Sequence, residues 1–144
     1  MGSSIVQLDC KTNNVTSKQD WLKKIHKGAE DSWIFNKSTG EYYEYSDFYE
    51  KLVLLDGVDI RDGAKGKFKS TIVNNKFKVS YEFIGFLDDL DEESDYYEYE
   101  INLKDLTIKT TGDLGGGDKF TSTGTCKYGE PESTEVFQDN EKPT

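Results

Sequence analysis

The sequence predicts a mainly β protein: an antiparallel meander that closes into a barrel or a curved sheet, with one short N-terminal helix. Apolar and polar residues alternate with period two in long segments, turn residues separate short apolar runs, and only one segment has helical spacing. The length of 144 residues fits one domain. Closure is expected because a meander otherwise leaves two exposed sheet edges.

The first elements are a strand and the helix. We expect a strand over residues 5–12, ended by the asparagines at 13–14, and a helix over residues 17–27. Thr16 or Ser17 can cap this helix, because a side-chain hydroxyl accepts a hydrogen bond from an early unpaired N–H group. The apolar stripe of the helix consists of Trp21, Leu22 and Ile25.

Two hairpins are expected in the middle of the chain. Residues 32–45 form one, with its turn at residues 37–40, and a single helical turn follows near residues 47–52. Residues 67–83 form the other around two asparagines at 74–75, since asparagine tolerates the left-handed backbone of a tight turn. One face of its second arm is formed by Phe77, Val79, Tyr81 and Phe83.

The remaining strands are expected at residues 96–103, 106–109 and 119–127. The domain therefore spans residues 5–128. Residues 129–144 are rich in Glu, Pro, Asn and Thr and poor in large apolar residues, which predicts a disordered acidic tail.

Charge is divided unevenly along the chain, whose formal net charge is −10. Residues 1–79 carry 13 basic and 11 acidic side chains, whereas residues 80–144 carry 5 basic and 17 acidic ones. An acidic balance disfavours binding to phosphate backbones, so we expect no nucleic-acid partner. No apolar run is long enough to span a bilayer, so no membrane partner is expected either.

Two cysteines lie in the first and last predicted strands. If the meander closes, these strands are neighbours, and a disulfide between Cys10 and Cys126 becomes possible. Its loop would span 116 residue steps. The alternative is a pair of free buried thiols in a reducing compartment. We favour the disulfide.

Two segments resemble small exported bacterial β-proteins, such as periplasmic lysozyme inhibitors and lipocalin-like modules. They are the hairpin at residues 35–42 and the run from Glu100 to Leu103 followed by Gly124, Thr125, Cys126 and Lys127, opposite an early Cys10. The resemblance implies a single disulfide and an exported protein. The helix at residues 17–27 and the acidic tail depart from that pattern, and no functional residue is carried over.

The candidate binding residues combine an acidic loop with tyrosines. Residues 86–105 hold nine acidic side chains and one lysine. Such crowding of like charges costs stability, which favours a contact for a basic protein partner. Tyr42, Tyr43, Tyr45 and Tyr96 are expected to include exposed rings, which suit protein contacts; high strand propensity is the alternative explanation. The predicted binding residues are Asp88, Asp91, Glu92, Glu93, Asp95, Tyr43 and Tyr96.

Catalytic and metal sites are not indicated. His26 is the only histidine, and no nucleophile motif accompanies it. The acidic residues from Asp89 to Glu100 have calcium-loop spacing, but Ser94 occupies the position that requires glycine, so a solvated loop is favoured. We expect no enzyme activity, no metal and no cofactor.

The sequence is compatible with two functions. The favoured one is a non-enzymatic binding or inhibitor module that engages a basic protein partner and is periplasmic or secreted after removal of a signal peptide. The alternative is a cytoplasmic, phage-type acidic decoy or anti-defence protein that mimics the charge of DNA. The redox state of the cysteines discriminates between them, because disulfides persist in oxidising compartments.

Overall fold

The computed structural model describes residues 4–61, 64–86, 95–115, 117–131 and 133–138. Strands account for 66% of the structure, which contains one short helix and a ten-stranded antiparallel sheet that nearly closes into a barrel. The predicted fold class is therefore confirmed. The elements are β1 (Ile5–Ser17), α1 (Asp20–His26), β2 (Glu30–Asn36), β3 (Tyr42–Ser46), β4 (Lys51–Leu55), β5 (Gly57–Arg61), β6 (Ala64–Val73), β7 (Lys76–Phe86), β8 (Asp95–Asn102), β9 (Thr107–Asp113) and β10 (Lys119–Gly129).

The sheet order is β4-β3-β2-β1-β10-β9-β8-β7-β6-β5. Strands β1 and β10, the first and last in the chain, pair at the centre of this order, from Gln7 opposite Gly129 to Ser17 opposite Phe120. The two edge strands, β4 and β5, follow each other in the chain with only Asp56 between them. The open seam of the barrel therefore lies between β4 and β5.

Strand β1 does not stop at the two asparagines, and this part of the prediction is wrong. The register against β10 shifts between Thr12 and Asn14, so Asn13 forms a bulge and the strand continues to Ser17. Gly124 lies opposite Thr12, and a Cβ atom there would overlap the carbonyl group of Lys11. A glycine at this position therefore lets β10 approach the bulged strand closely.

Helix α1 is shorter than predicted and is not capped by a hydroxyl. Gln19 occupies the N-cap position without a side-chain hydrogen bond, while the Ser17 hydroxyl accepts a bond from the Gln19 N–H at 3.1 Å. Leu22 is fully buried, but Trp21 is 46% exposed and Ile25 is 61% exposed. A helix of two turns presents only a narrow face to the barrel, so Leu22 is the one buried residue of the predicted three-residue apolar stripe.

The second predicted hairpin is confirmed. Asn74 and Asn75 have φ angles of 53° and 61°, as a two-residue turn between β6 and β7 requires. Phe77 and Val79 are each 1% exposed, which agrees with the predicted inward face of β7. Residues 47–50 form a turn and β4 begins at Lys51, so no helical turn forms there.

Aromatic rings fill the barrel. Phe35 of β2 stacks on Phe77 of β7 with 4.0 Å between ring centroids, and Trp33 meets Tyr99 of β8 at 4.6 Å. These strands are not neighbours in the sheet, so the contacts cross the interior. The buried core consists of Leu8, Cys10, Trp33, Phe35, Phe77, Val79, Ile101 and Ile108.

A second apolar cluster lies on the outer face of β2, β3 and β4. Ile34, Tyr43 and Leu52 are buried there, and Val136 packs against them. Val136 forms a parallel bridge with Leu52 at the free edge of β4. Residues 133–138 therefore include a segment that docks on β4, within the region that we expected to be a disordered tail. The domain boundary at residue 128 stays a prediction, and residues 139–144 lie outside the described residues.

Candidate binding surface

Tyr96 is the exposed tyrosine at the centre of the candidate surface. It lies on β8 with 41% of its area exposed, and its hydroxyl contacts the hydroxyl of Ser80 at 3.4 Å. The register places Glu82 of β7 opposite it on one side and Asp113 of β9 opposite it on the other. Directly opposed residues have Cβ atoms about 5 Å apart, so both carboxylates flank the ring.

A third carboxylate lies along the same strand. Glu98 follows Tyr96 by two residues and therefore shares its face. Its cross-strand partners are Ser80 and Thr111, which carry no charge. We call the group formed by Glu82, Tyr96, Glu98 and Asp113 the tyrosine-carboxylate surface.

The charge changes towards the other end of β8. Glu100 lies 3.4 Å from the Lys76 ammonium group and 4.0 Å from that of Lys78, and Lys109 is its partner on β9. Within the tyrosine-carboxylate surface, Asp113 has an ion pair with Lys119 at 3.7 Å. The negative end of the strand is therefore the end that adjoins residues 87–94.

Asp95 and Tyr96 lie on opposite faces of β8, because successive side chains of a strand alternate. Asp95 shares a face with Tyr97, and its negative charge adds to burial in raising the pKa of Tyr97. Asp95 was expected to act together with Tyr96. The structure does not bring these two side chains to one surface.

Tyr43 requires a correction. It was expected among the exposed rings, but it is only 5% exposed. Its ring belongs to the outer apolar cluster with Ile34 and Leu52, beneath Val136. Burial is the main cause that raises the pKa of its hydroxyl, and the nearby Glu41 contributes in the same direction. The reason for the error is that the outer face of β3 carries a packed apolar cluster, which Val136 joins.

Four predicted binding residues, Asp88, Asp91, Glu92 and Glu93, lie outside the described residues. The same holds for most of the calcium-loop positions. Among the residues that the structure does describe, no group of three or more His, Cys, Asp or Glu side chains is placed to hold a metal ion. The only helix in the described ranges, α1, is too short and too polar to cross a membrane.

The disulfide is present in the structure. Cys10 and Cys126 oppose each other in the β1–β10 register and are joined with an S–S distance of 2.06 Å. Cys10 is 5% exposed, so the bridge lies at the edge of the barrel core.

Comparisons with protein-family models, with curated protein sequences and with solved structures found no match to this chain. The resemblance to exported lysozyme-inhibitor and lipocalin-like proteins stays a prediction.

Sequence reasoning missed Glu82, Glu98 and Asp113 as neighbours of Tyr96. A signal for Glu82 and Glu98 was available, because both belong to alternating strands and lie on the polar side of their strand. Asp113 carried no such signal, since β9 was expected to end at residue 109 rather than at Asp113.

Proposed function

We propose that this protein is a non-enzymatic binding module, in its concrete form an inhibitor of a basic enzyme, that engages a cationic protein partner. The observation that carries the proposal is the exposed ring of Tyr96 between Glu82 and Asp113, with Glu98 on the same face. Along the sequence, the acidic stretch at residues 88–93 comes shortly before Tyr96.

The chemistry of this surface suits a lysine or arginine side chain. The face of an aromatic ring attracts a cation, and carboxylates beside it pair with the same charge. The like charges of Glu82 and Glu98, which lie on one face beside Tyr96, repel each other in the free protein. A basic partner removes that repulsion on binding, and the field of the acidic residues raises its association rate.

The disulfide supports an exported protein over the cytoplasmic decoy. Bridges of this kind persist in oxidising compartments and are rare where glutathione keeps thiols reduced. A location in the periplasm or outside the cell is therefore part of the proposal. A DNA-mimicking decoy would in addition need carboxylates in rows, whereas Glu100 on the same strand lies within 4.0 Å of two lysines.

The proposal is tested with two basic probes, hen lysozyme and a labelled twenty-residue oligolysine, at low ionic strength. Replacing Glu82 and Glu98 with Gln and Tyr96 with Ala should slow association several-fold. The same is expected when Asp88, Asp91, Glu92 and Glu93 are replaced with Asn or Gln. Salt should weaken the wild-type interaction, because the Debye length falls to about 8 Å at physiological ionic strength.

The matched control removes charge elsewhere. Glu30 and Glu44 are exposed and lie on β2 and β3, so replacing both with Gln changes the net charge by the same amount as the Glu82 and Glu98 pair. If the control slows association as much as Glu82→Gln with Glu98→Gln and an unchanged Tyr96, binding follows net charge and the proposed surface is wrong.

A further inference from the structure

Residues 133–138 pair with the free edge of β4 through one isolated β-bridge. The Leu52 N–H donates to the Glu135 carbonyl at 3.0 Å, and the Phe137 N–H donates to the Leu52 carbonyl at 2.6 Å. The resulting bridge between Leu52 and Val136 is parallel. This is the geometry by which extended peptides add to an exposed sheet edge.

Two successive side chains of the segment pack against different residues of the protein. Val136 packs on the outer cluster around Leu52, which is completely buried. Phe137 stacks on Tyr49 with 3.9 Å between ring centroids and 21° between ring planes. The edge therefore accepts an aliphatic residue followed by an aromatic one, in addition to pairing with the backbone.

The apolar surface at the β4 edge extends beyond the residues that Val136 and Phe137 contact. Leu54 follows Leu52 by two residues, so its backbone groups are directed to the same edge, and its side chain is 39% exposed. The ring of Phe48, which is 77% exposed, forms a T-shaped contact with the Tyr49 ring, with 4.9 Å between centroids. Apolar surface remains accessible on both sides of the residues that Val136 and Phe137 contact.

The segment is held weakly compared with the strands of the barrel. Its backbone pairing among residues 133–138 consists of the two bonds to Leu52, whereas β1 and β10 pair along nearly their whole lengths. Isolated short strands contribute little stability of their own. A segment attached in this way can leave the edge without opening the barrel.

We propose that the β4 edge is a peptide-binding site that residues 133–138 occupy in the free protein, and that its external ligand is an extended segment of a partner protein. That ligand carries an aliphatic residue followed by an aromatic one, as Val136 and Phe137 do, and adds to β4 in parallel. The site is separate from the tyrosine-carboxylate surface and does not depend on the function proposed for it.

The test uses the full chain and a fluorescent peptide that copies residues 131–140. Replacing Val136 with Asp and Phe137 with Ala disables the internal segment and leaves the edge open. A tethered segment competes at an effective concentration on the order of millimolar. The peptide should therefore bind the variant at least tenfold more tightly than the wild-type chain.

Three controls define the site. Thr134 and Gln138 are exposed members of the same segment, so Thr134→Ala with Gln138→Ala should leave peptide affinity at the wild-type value. Tyr49→Ala, added to the open variant, should weaken peptide binding at least fivefold, and a peptide with Val and Phe exchanged for Ser should not bind. Thermal melts verify that each variant is folded. In addition, millimolar peptide should shift the Leu52 amide resonance of the wild-type chain.

The proposal is overturned if the open variant binds the peptide no better than wild type while the Leu52 resonance of wild type stays unmoved. A concentration-dependent wild-type dimer that the Val136 and Phe137 changes abolish would also overturn it. That result would assign the edge to residues 133–138 of a second copy instead of an external ligand.

Discussion

The imidazole ring of His26 stacks on the ring of Phe120, with 4.1 Å between centroids and 17° between planes. His26 ends α1 and Phe120 is buried near the start of β10, so this contact joins the helix to the barrel. Burial lowers the pKa of His26 below 6.5, and the negative charge of Asp31 opposes this only in part. The neutral imidazole is therefore the form that the fold favours.

A first prediction concerns stability in mild acid. A lowered pKa in the folded state means that the unfolded chain binds the proton first, so the contribution of His26 is present above pH 6.5 and is lost as pH falls through the folded-state pKa. The free energy of unfolding should decrease between about pH 7.5 and 5.5. His26→Phe, which keeps a stacked ring, should reduce this decrease. Equal pH slopes for the two proteins in urea titrations would contradict the prediction.

A second prediction concerns Gly112, which lies against the ring of Phe120. A Cβ atom on Gly112 would overlap the ring of Phe120. Gly112→Ala should therefore displace Phe120, weaken its contact with His26 and destabilise the fold by about 1–3 kcal/mol. Gly115→Ala is unsuitable as the control because its φ is positive, whereas Thr111→Ala changes an exposed residue beside Gly112. Denaturant unfolding of both variants measures the difference.

Much of the fold could be predicted from local pattern. Strict alternation identified the inward face of β7, and two asparagines marked the turn at 74–75 because few other residues adopt positive φ there. No strand was expected at β5, which begins at Gly57, a residue with a positive φ. Tyr43 was misplaced for a different reason. Its ring is buried in a cluster with Ile34 and Leu52 that Val136, distant in the sequence, also joins, and no local pattern reports such packing.

The candidate surface was predicted only in part. Tyr96 is exposed as expected, but its carboxylate neighbours depend on the register of three strands. Asp95 was misjudged because acidic residues were counted along the chain without regard to the face on which each one lies. Alternation alone would have separated Asp95 from Tyr96.

A third prediction concerns the disulfide. Removing it by Cys10→Ser together with Cys126→Ser releases a loop of 116 residue steps. The chain-entropy account assigns such a loop on the order of 4–5 kcal/mol, and a lower melting temperature is expected. Alkylation and mass measurement under non-reducing conditions should find no free thiol. Two alkylated cysteines in the untreated protein would contradict both the bridge and the export that we infer from it.

A fourth prediction concerns alkaline stability. Burial is the largest cause that raises the pKa of Tyr99, which contacts Trp33 inside the barrel. The unfolded chain loses this proton first, so the stabilising contribution is complete below about pH 10 and declines as pH rises further. Between about pH 9 and 11, the melting temperature of Tyr99→Phe should fall less than that of the wild type. An ultraviolet difference spectrum of the phenolate would show whether the phenol stays protonated in the folded protein.

The pairing of β1 with β10 also has a consequence for the order in which the protein assembles. The hairpins from β2 to β4 and the meander from β5 to β9 are local in sequence, whereas β1 must wait until β10 has been made before the centre of the sheet can form. Pairings between distant segments are slow because a long loop must be closed first. Strand β1 therefore keeps one unpaired edge until β10 is available, and the late step that pairs the two strands also brings the two cysteines together.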